Sequence, residues 1–432
     1  MYFQPPPLSK LQEAVEDPCN PIGMRMRAAY FLKQAFVNSL SNSGGSADAS
    51  TTKVAAAATV AASASTPGAV TDENDGNDEK TSEEVDDAEQ RDLQDAIIQA
   101  LSNGLGNELH GSLMRHEYAY VLGQLRDDRC CPALEDALSK DGDCVMVRHE
   151  AAEALGAIGA ERSRSVLQDV VEKNPDTPEL SDTCRLALNV MDWRIRGDPA
   201  EPAPAACACM LNPYSSVDPA PPHPSHENKS EAELGAILLD DDIPIFDRYR
   251  AMFSLRNRGG SAAVRELGRA LVEDTSSALL RHEVAYVLGQ MQHPDSISAL
   301  TESLSRQSEH MMVRHESAEA LGAIDGGDWF KIEATLEQYC KDDCVAVAES
   351  CVVALDAADY WGHSSAPAGG DNSDEAVHDE SKETESGAVI SFRDQKNLLE
   401  GKGGPAGVED ATMSSAPRNP QVLAGHFNVL SS

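Results

Sequence analysis

The sequence predicts an all-α solenoid of helical hairpins, arranged as two halves of about four repeats each related by internal duplication. Three observations carry this expectation. RHEYAYVLGQL at 115–125 returns as RHEVAYVLGQM at 281–291, and MVRHEAAEALGAIG at 146–159 returns as MVRHESAEALGAID at 312–325. The step from His116 to His149 equals that from His282 to His315, and the step from His116 to His282 equals that from His149 to His315. The shorter step, a period near 33 with paired amphipathic helices, marks an α-solenoid. Aromatic residues make up only 5% of the chain while Ala and Leu abound, which favours helices packed through small side chains.

Taken in order, residues 1–38 hold a first hairpin, because MRMRAAYFLKQ at 24–34 aligns with DRYRAMFSLRN at 247–257 on an Arg-Ala-x-x-x-Leu core. The step from Arg27 to Arg115 is longer by 57 than the step from Arg250 to Arg281. That excess falls on 39–90, where Ser, Gly, Ala and Thr run into a block with ten acids and one lysine over 71–90. Such composition reads as a disordered acidic insertion. Residues 91–196 carry the remaining repeats of the first half. Ala152, Leu155 and Ile158 recur there at helical spacing, and Gly159 stands where the helix stops. Residues 197–229, with DPAEPAPAACAC and DPAPPHPSHENKS, read as an extended proline-rich linker. Residues 230–361 form the second half, and CVVALDAADYW at 351–361 parallels CRLALNVMDW at 184–193. Residues 362–432 read as a disordered tail.

Composition narrows the function classes. A net charge of −37 offers no basic stripe for nucleic acid and would steer a cationic partner instead. No run of 18 apolar residues occurs, and MYFQPPPLSK has neither a basic n-region nor an apolar h-region, so neither a membrane span nor a signal peptide is expected. The ten cysteines show no framework spacing, so they are expected as free thiols in a reducing, cytoplasmic setting. Two arms within one chain remove any need for a dimer, and a monomer is expected.

Four of the twelve histidines lie in Arg-His-Glu triplets: His116-Glu117, His149-Glu150, His282-Glu283 and His315-Glu316. Adjacent helix residues point about 100° apart, so one His and its following Glu cannot grip an ion side by side. Equivalent helices of neighbouring repeats lie about 10 Å apart. His116 and His149 would then converge on one ion, and His282 and His315 on another. Two 2-His-1-carboxylate sets with carboxylates to spare suit non-haem iron and oxygen. The structural alternative is an inter-repeat ladder of Arg and acid, and for the arginines it is the preferred reading, since Arg27 and Arg250 recur in repeats without a triplet. Tyr120 and Tyr286, four residues past a triplet His, either line the cavity or pack in the core. His110, His293 and His310 read as surface loop residues, and His223 and His226 fall in the expected disorder.

The pattern V-R-x-x-A-x-x-A-L-G-x-I resembles HEAT-like repeats. Eight such repeats in two halves, with RHEYAYVLGQ and MVRHEAAEALGAI carrying four His-Glu motifs, resemble the deoxyhypusine hydroxylases. The resemblance covers roughly 24–36, 91–195 and 230–360. It implies two ferrous ions per chain, molecular oxygen as co-substrate and an external reductant. It also implies a deoxyhypusine-bearing translation factor precursor as partner. Carried over by position, it implies His116, His149, Glu150, His282, His315 and Glu316 as iron ligands. Glu117 and Glu283 sit in the same motif and are divided between metal and the cationic amines of the substrate. A non-enzymatic scaffold and a di-metal hydrolase using the same ligands are the competing readings, and a bilin lyase-like enzyme has no reason to keep four His-Glu pairs.

Overall fold

The computed structural model describes residues 6–42, 82–196, 212–214, 216–324 and 326–361. Among the described residues there is no strand, and the helices pair into eight hairpins. The first half holds α1 (Leu8–Glu16) with α2 (Ile22–Asn42), α3 (Ser82–Gly106) with α4 (Gly111–Leu125), α5 (Cys131–Ser139) with α6 (Val145–Ile158), and α7 (Arg164–Lys173) with α8 (Pro178–Arg196). The second holds α9 (Glu231–Leu239) with α10 (Ile245–Arg258), α11 (Gly260–Glu273) with α12 (Ala278–Met291), α13 (Ile297–Ser305) with α14 (Met311–Ala323), and α15 (Trp329–Tyr339) with α16 (Val345–Trp361). The triplets stand on α4, α6, α12 and α14, the second helices of the middle hairpins.

Local chemistry sets these boundaries. Gly159 takes the left-handed conformation (φ 77°) that ends α6 and donates its N–H to Leu155 O. Ser230 and Glu233 make a reciprocal capping box that starts α9. The duplication extends to irregular backbone: Arg126 and Gln292, counterparts in the two halves, end α4 and α12 in the same left-handed conformation.

Buried ion pairs fix the register of one hairpin on the next. Arg115 donates Nε to Leu105 O and grips Asp143 through both terminal nitrogens at 2.8 and 2.6 Å. Arg314 repeats this with Leu304 O and Asp342, and Arg281 reaches Glu309, both acids standing as far along the chain from their arginine as Asp143 from Arg115. In the flanking repeat the same position belongs to Arg248, which bonds Leu238 O and Asp274. Arg248 precedes Arg281 by the same step that separates Arg281 from Arg314. The alignment through Arg250 was therefore two positions out of register, and by the same shift Arg25 replaces Arg27. Arg27 and Arg250 do other work: Arg27 pairs with Asp356 of α16, and Arg250 donates to the carbonyls of Pro221 and Pro222.

The second helices pack on one another around the molecule, and α8 meets α10 while α16 meets α2. The two arms thus close into a ring, joined at both seams. Two boundaries shift from the sequence expectation. Residues 39–42 complete α2, with Ser39 buried, and 82–90 belong to α3, so only 43–81 of the expected insertion lies outside the described residues. The linker is ordered over 216–229: Ala220 and His226 are buried and Pro224–Asn228 forms a short 3-10 helix. Proline-rich chain is extended there, as its composition dictates, but it is fastened down. Residues 197–211 and the tail from 362 lie outside the described residues.

Gly123 shows how close the second helices approach. A Cβ built on it would lie 2.7 Å from Ala154 Cα, whereas one on Gly106 meets nothing within 4 Å. Gly123→Ala is expected to push α4 from α6 and to cost about 1–3 kcal/mol. Gly106→Ala is expected to leave stability within about 0.5 kcal/mol. Thermal melts of the two variants check the contrast.

Candidate metal centre

The ladder arginines orient the triplets. With Arg115, Arg281 and Arg314 held toward the next hairpin, and Arg148 bonded to Leu138 O and facing Asp141 of its own hairpin, the following His is turned about 100° around the helix, into the ring. All four imidazoles meet there. His116 and His149 have ring centroids 5.4 Å apart, and His282 and His315 also 5.4 Å. Across the halves His116 lies 5.1 Å from His315, and His149 5.1 Å from His282. The rings therefore form one cluster, not two separate pairs. Within it, His116 Nε2 faces Glu150 Oε2 at 3.3 Å, and His282 Nε2 faces Glu316 Oε2 at 3.5 Å. Each half thus offers two imidazoles and one carboxylate, from adjacent helices, in matching positions.

These side chains are buried and poor in hydrogen bonds. Of the eight ring nitrogens, seven have no hydrogen-bond partner among the described residues. The eighth, His116 Nδ1, bonds to Glu117 Oε1 at 2.9 Å. A buried polar atom left unpaired costs about 1–3 kcal/mol, so seven of them together rival the stability of a whole domain. Lone pairs converging with carboxylates are what a cation would use, and the donor set fits iron. Donor atoms of His116, His149 and His282 lie within 4.8 Å of one another, as do those of His282, His315 and Glu316.

Glu117 and Glu283 differ. Glu117 accepts the Tyr30 hydroxyl at 2.8 Å on one oxygen and orients His116 with the other, the kind of outer contact that fixes a ligating imidazole. Glu283 is 2% exposed and has no hydrogen bond or ion pair with a described residue. It lines a chamber with Glu150, Glu316, Glu153, Tyr120 and Tyr286, closed over by Ser216–Pro219. The chamber's free volume is about 20 Å³, room for little more than one water. The Tyr120 and Tyr286 hydroxyls meet at 3.0 Å, so both tyrosines line the chamber. Two features escaped the sequence reading. Glu153 lies four residues past His149, on its helix face, a signal that was available. Asp218, in the supposed linker, pairs with the fully buried Arg256 at 2.6 and 2.8 Å.

Burial, set against Glu150 and Glu117, leaves His116 with a pKa well above the ordinary 6.5. Burial and then the neighbouring imidazoles hold His149 well below it; burial and then His116 do the same to His315. The other histidines correct the sequence reading. His110 is buried against Arg25, and His226 is buried with Nδ1 2.8 Å from Ser254 Oγ; burial first lowers each to about 4. His293 and His223 cap short 3-10 helices, and His310 caps α14, each by accepting a backbone N–H.

Comparison with known proteins agrees with this geometry. The family model for HEAT repeats matches residues 98–188, 231–322 and 276–356. Deoxyhypusine hydroxylase of Danio rerio is 46% identical over 153 residues, covering 35% of this chain and 47% of the relative. That of Xenopus laevis is 51% identical over 161 residues, covering 37% and 49%. The chain spans about half the length of the curated relatives it matches. The structure of human deoxyhypusine hydroxylase in complex with glycerol superposes with a TM-score of 0.59 at 34% identity, covering 81% of this chain and 94% of that one. The chain belongs to the deoxyhypusine hydroxylase family. Within that family frame, the repeats without a triplet complete the ring and the four with one supply the donors.

The depressed histidines give the metal-free protein a pH dependence of known sign. Unfolded, His110, His149, His226 and His315 take up protons near pH 6.5, while folded they do so only far lower. The stability contributed by His110 and His226 is therefore full above about pH 6.5 and falls as the pH drops toward 4. His116 and the carboxyls of Glu153 and Glu283, all raised, contribute oppositely. Urea denaturation of the metal-free protein at pH 7.5 and 5 reads the His226 share: His226→Gln is expected to lose less stability, or gain more, between the two than the original chain.

Proposed function

We propose that the chain is a di-iron monooxygenase acting in the cytoplasm, as a monomer. It would hydroxylate the deoxyhypusine side chain of a translation factor precursor with molecular oxygen and an external reductant. The observation that carries the reading is the buried cluster of four imidazoles, seven of whose ring nitrogens lack hydrogen bonds, each half matched with one carboxylate. His116, His149 and Glu150 would hold one iron, and His282, His315 and Glu316 the other. The irons would supply the oxygen activation that attack on an unactivated C–H bond requires. The chain's own residues supply position and exclusion of water. Glu117 holds the His116 ring with Nε2 inward, and the joined tyrosines with Ser216–Pro219 wall the chamber from solvent. Free thiols at all eight described cysteines support a reducing compartment. No helix among the described residues is long and apolar enough to cross a membrane.

The reading predicts about two irons per chain in protein purified without chelators. His149→Ala is expected to retain about one iron or fewer and to lower hydroxylation of a deoxyhypusine-bearing substrate by at least about a hundredfold. Metal analysis and product mass spectrometry check both. Protein that stays free of iron after anaerobic loading would return the chain to the scaffold reading.

A further inference from the structure

One wall of the chamber leads on, and its counterpart across the duplication does not. On α6 and α8, Gly156 and Ala187 are in close contact, since a Cβ added to Gly156 would stand 2.8 Å from Ala187 Cα. Beside this contact a cleft of about 10 Å³ free volume remains, lined by Ala157, Leu186, Ala187 and Val190 together with Val217 and Pro219 of the strap. Glu153, Val217 and Pro219 line both the cleft and the chamber, so the two adjoin. In the other half the equivalent gap is bridged. With CRLALNVMDW set on CVVALDAADYW, Ser350 and Ala354 are the counterparts of Thr183 and Ala187, and Glu319 is that of Glu153. Ser350 donates its hydroxyl to Glu319 Oε1 at 2.8 Å, tying α16 to α14, and α2 packs on α16. Thr183 instead turns its hydroxyl back to Glu179 O of its own helix at 2.7 Å, and Glu153 has no hydrogen bond or ion pair with any described residue.

We propose that this cleft is a dioxygen passage, a small apolar site through which the gas reaches the centre while a substrate side chain occupies the chamber. The proposal rests on the hydroxylase reading above. Protein interiors hold few gaps as large as a water molecule, and those with apolar walls stay dry and take up apolar guests such as xenon. Dioxygen is uncharged and apolar, so it leaves water for such walls. Ala157, Leu186, Ala187 and Val190 offer no polar side-chain atom, and the Thr183 hydroxyl is spent on its own helix. A charged or strongly hydrated group would lose its water there and gain no partner. The chamber is the reverse: carboxylates and tyrosine hydroxyls line it, and a side chain would fill its free volume of about 20 Å³. With a substrate in place the strap side is closed to the gas. The cleft reaches the chamber at Glu153, one turn along α6 from His149 and Glu150. Because Ser350 and Glu319 bridge the counterpart gap, the gas would arrive from one side of the ring.

The test uses the full chain loaded with iron, with xenon as the probe of the cleft. Crystals held under xenon pressure are expected to show an atom among Ala157, Leu186 and Val190 in the unmodified chain, and none there in Ala157→Leu. In the same variant KM for dioxygen is expected to rise about fivefold or more, with KM for a deoxyhypusine peptide and iron content unchanged. Val190→Ala, which widens the cleft, is expected to fill with xenon at lower pressure and to leave KM for dioxygen no higher, so the test stands even where Ala157→Leu fails to fold. A cleft empty of xenon in both the unmodified chain and Val190→Ala would overturn the proposal. An unchanged dioxygen KM in folded, iron-replete Ala157→Leu would overturn it as well. An unmodified chain that holds two irons yet consumes no dioxygen would instead sink the hydroxylase reading, and the passage with it.

Discussion

The buried pair between an inner-helix arginine and an acid of the next hairpin is the constraint on which the centre depends. Arg115–Asp143, Arg281–Glu309 and Arg314–Asp342 each lock a helix's rotation as well as its height. Because successive helix residues are turned by about 100°, an arginine pinned outward obliges the next residue to point into the ring. The triplet is therefore one mechanical unit: its first residue sets the angle, its second donates to the centre, and its third, in all but Glu283, reaches a neighbour. Breaking such a pair leaves a buried charge uncompensated, at about 3–5 kcal/mol. It would also swing an imidazole off its place.

Ring closure turns the four triplets into one site. A linear solenoid would leave α4 and α6 facing solvent across from nothing. Here Arg27–Asp356 fastens the first hairpin to the last, and Arg250 with Arg256 fastens the connecting strap to α10. Equal centroid spacings of 5.4 Å in each half follow from duplication, while the 5.1 Å contacts across the halves follow from closure. Sequence repetition carries the first kind of distance and cannot carry the second.

That division explains what was legible. Helical periodicity and the constant step between repeats expose the hairpins and the triplets, because both are local. The flanking repeats were misread by two positions, at Arg27 and Arg250, because the Arg-Ala core recurs while the ladder arginine, Arg25 or Arg248, is followed by no histidine to mark it. His110 and His226 looked like loop residues, since burial of a loop histidine depends on distant partners such as Arg25 and Ser254. The strap at 216–229 was hidden by its composition. Proline-rich chain reads as extended whether or not something holds it, and what holds it here is Gln124, Gln290 and Arg256 of the helices.

The strap bears on how a protein-borne side chain reaches the centre. The chamber has room for about one water, so one wall must yield for a substrate to enter. Helix walls are interlocked by close contacts such as Gly123 on Ala154 and Gly322 on Ala354, and separating them would open the core. Ser216–Pro219 is held differently: the Val217 N–H donates to Gln124 Oε1 at 3.1 Å, and Asp218 is clamped by Arg256. Its residues stay partly exposed, so apolar burial holds it little. Polar anchors can be exchanged for water at a net cost of about 0.5–1.5 kcal/mol per neutral hydrogen bond, and more for the charged pair. Repacking a helix interface costs more. Entry by the strap side is thus the path of least resistance, and it opens onto Glu153 and Glu283, the two chamber carboxylates without a partner.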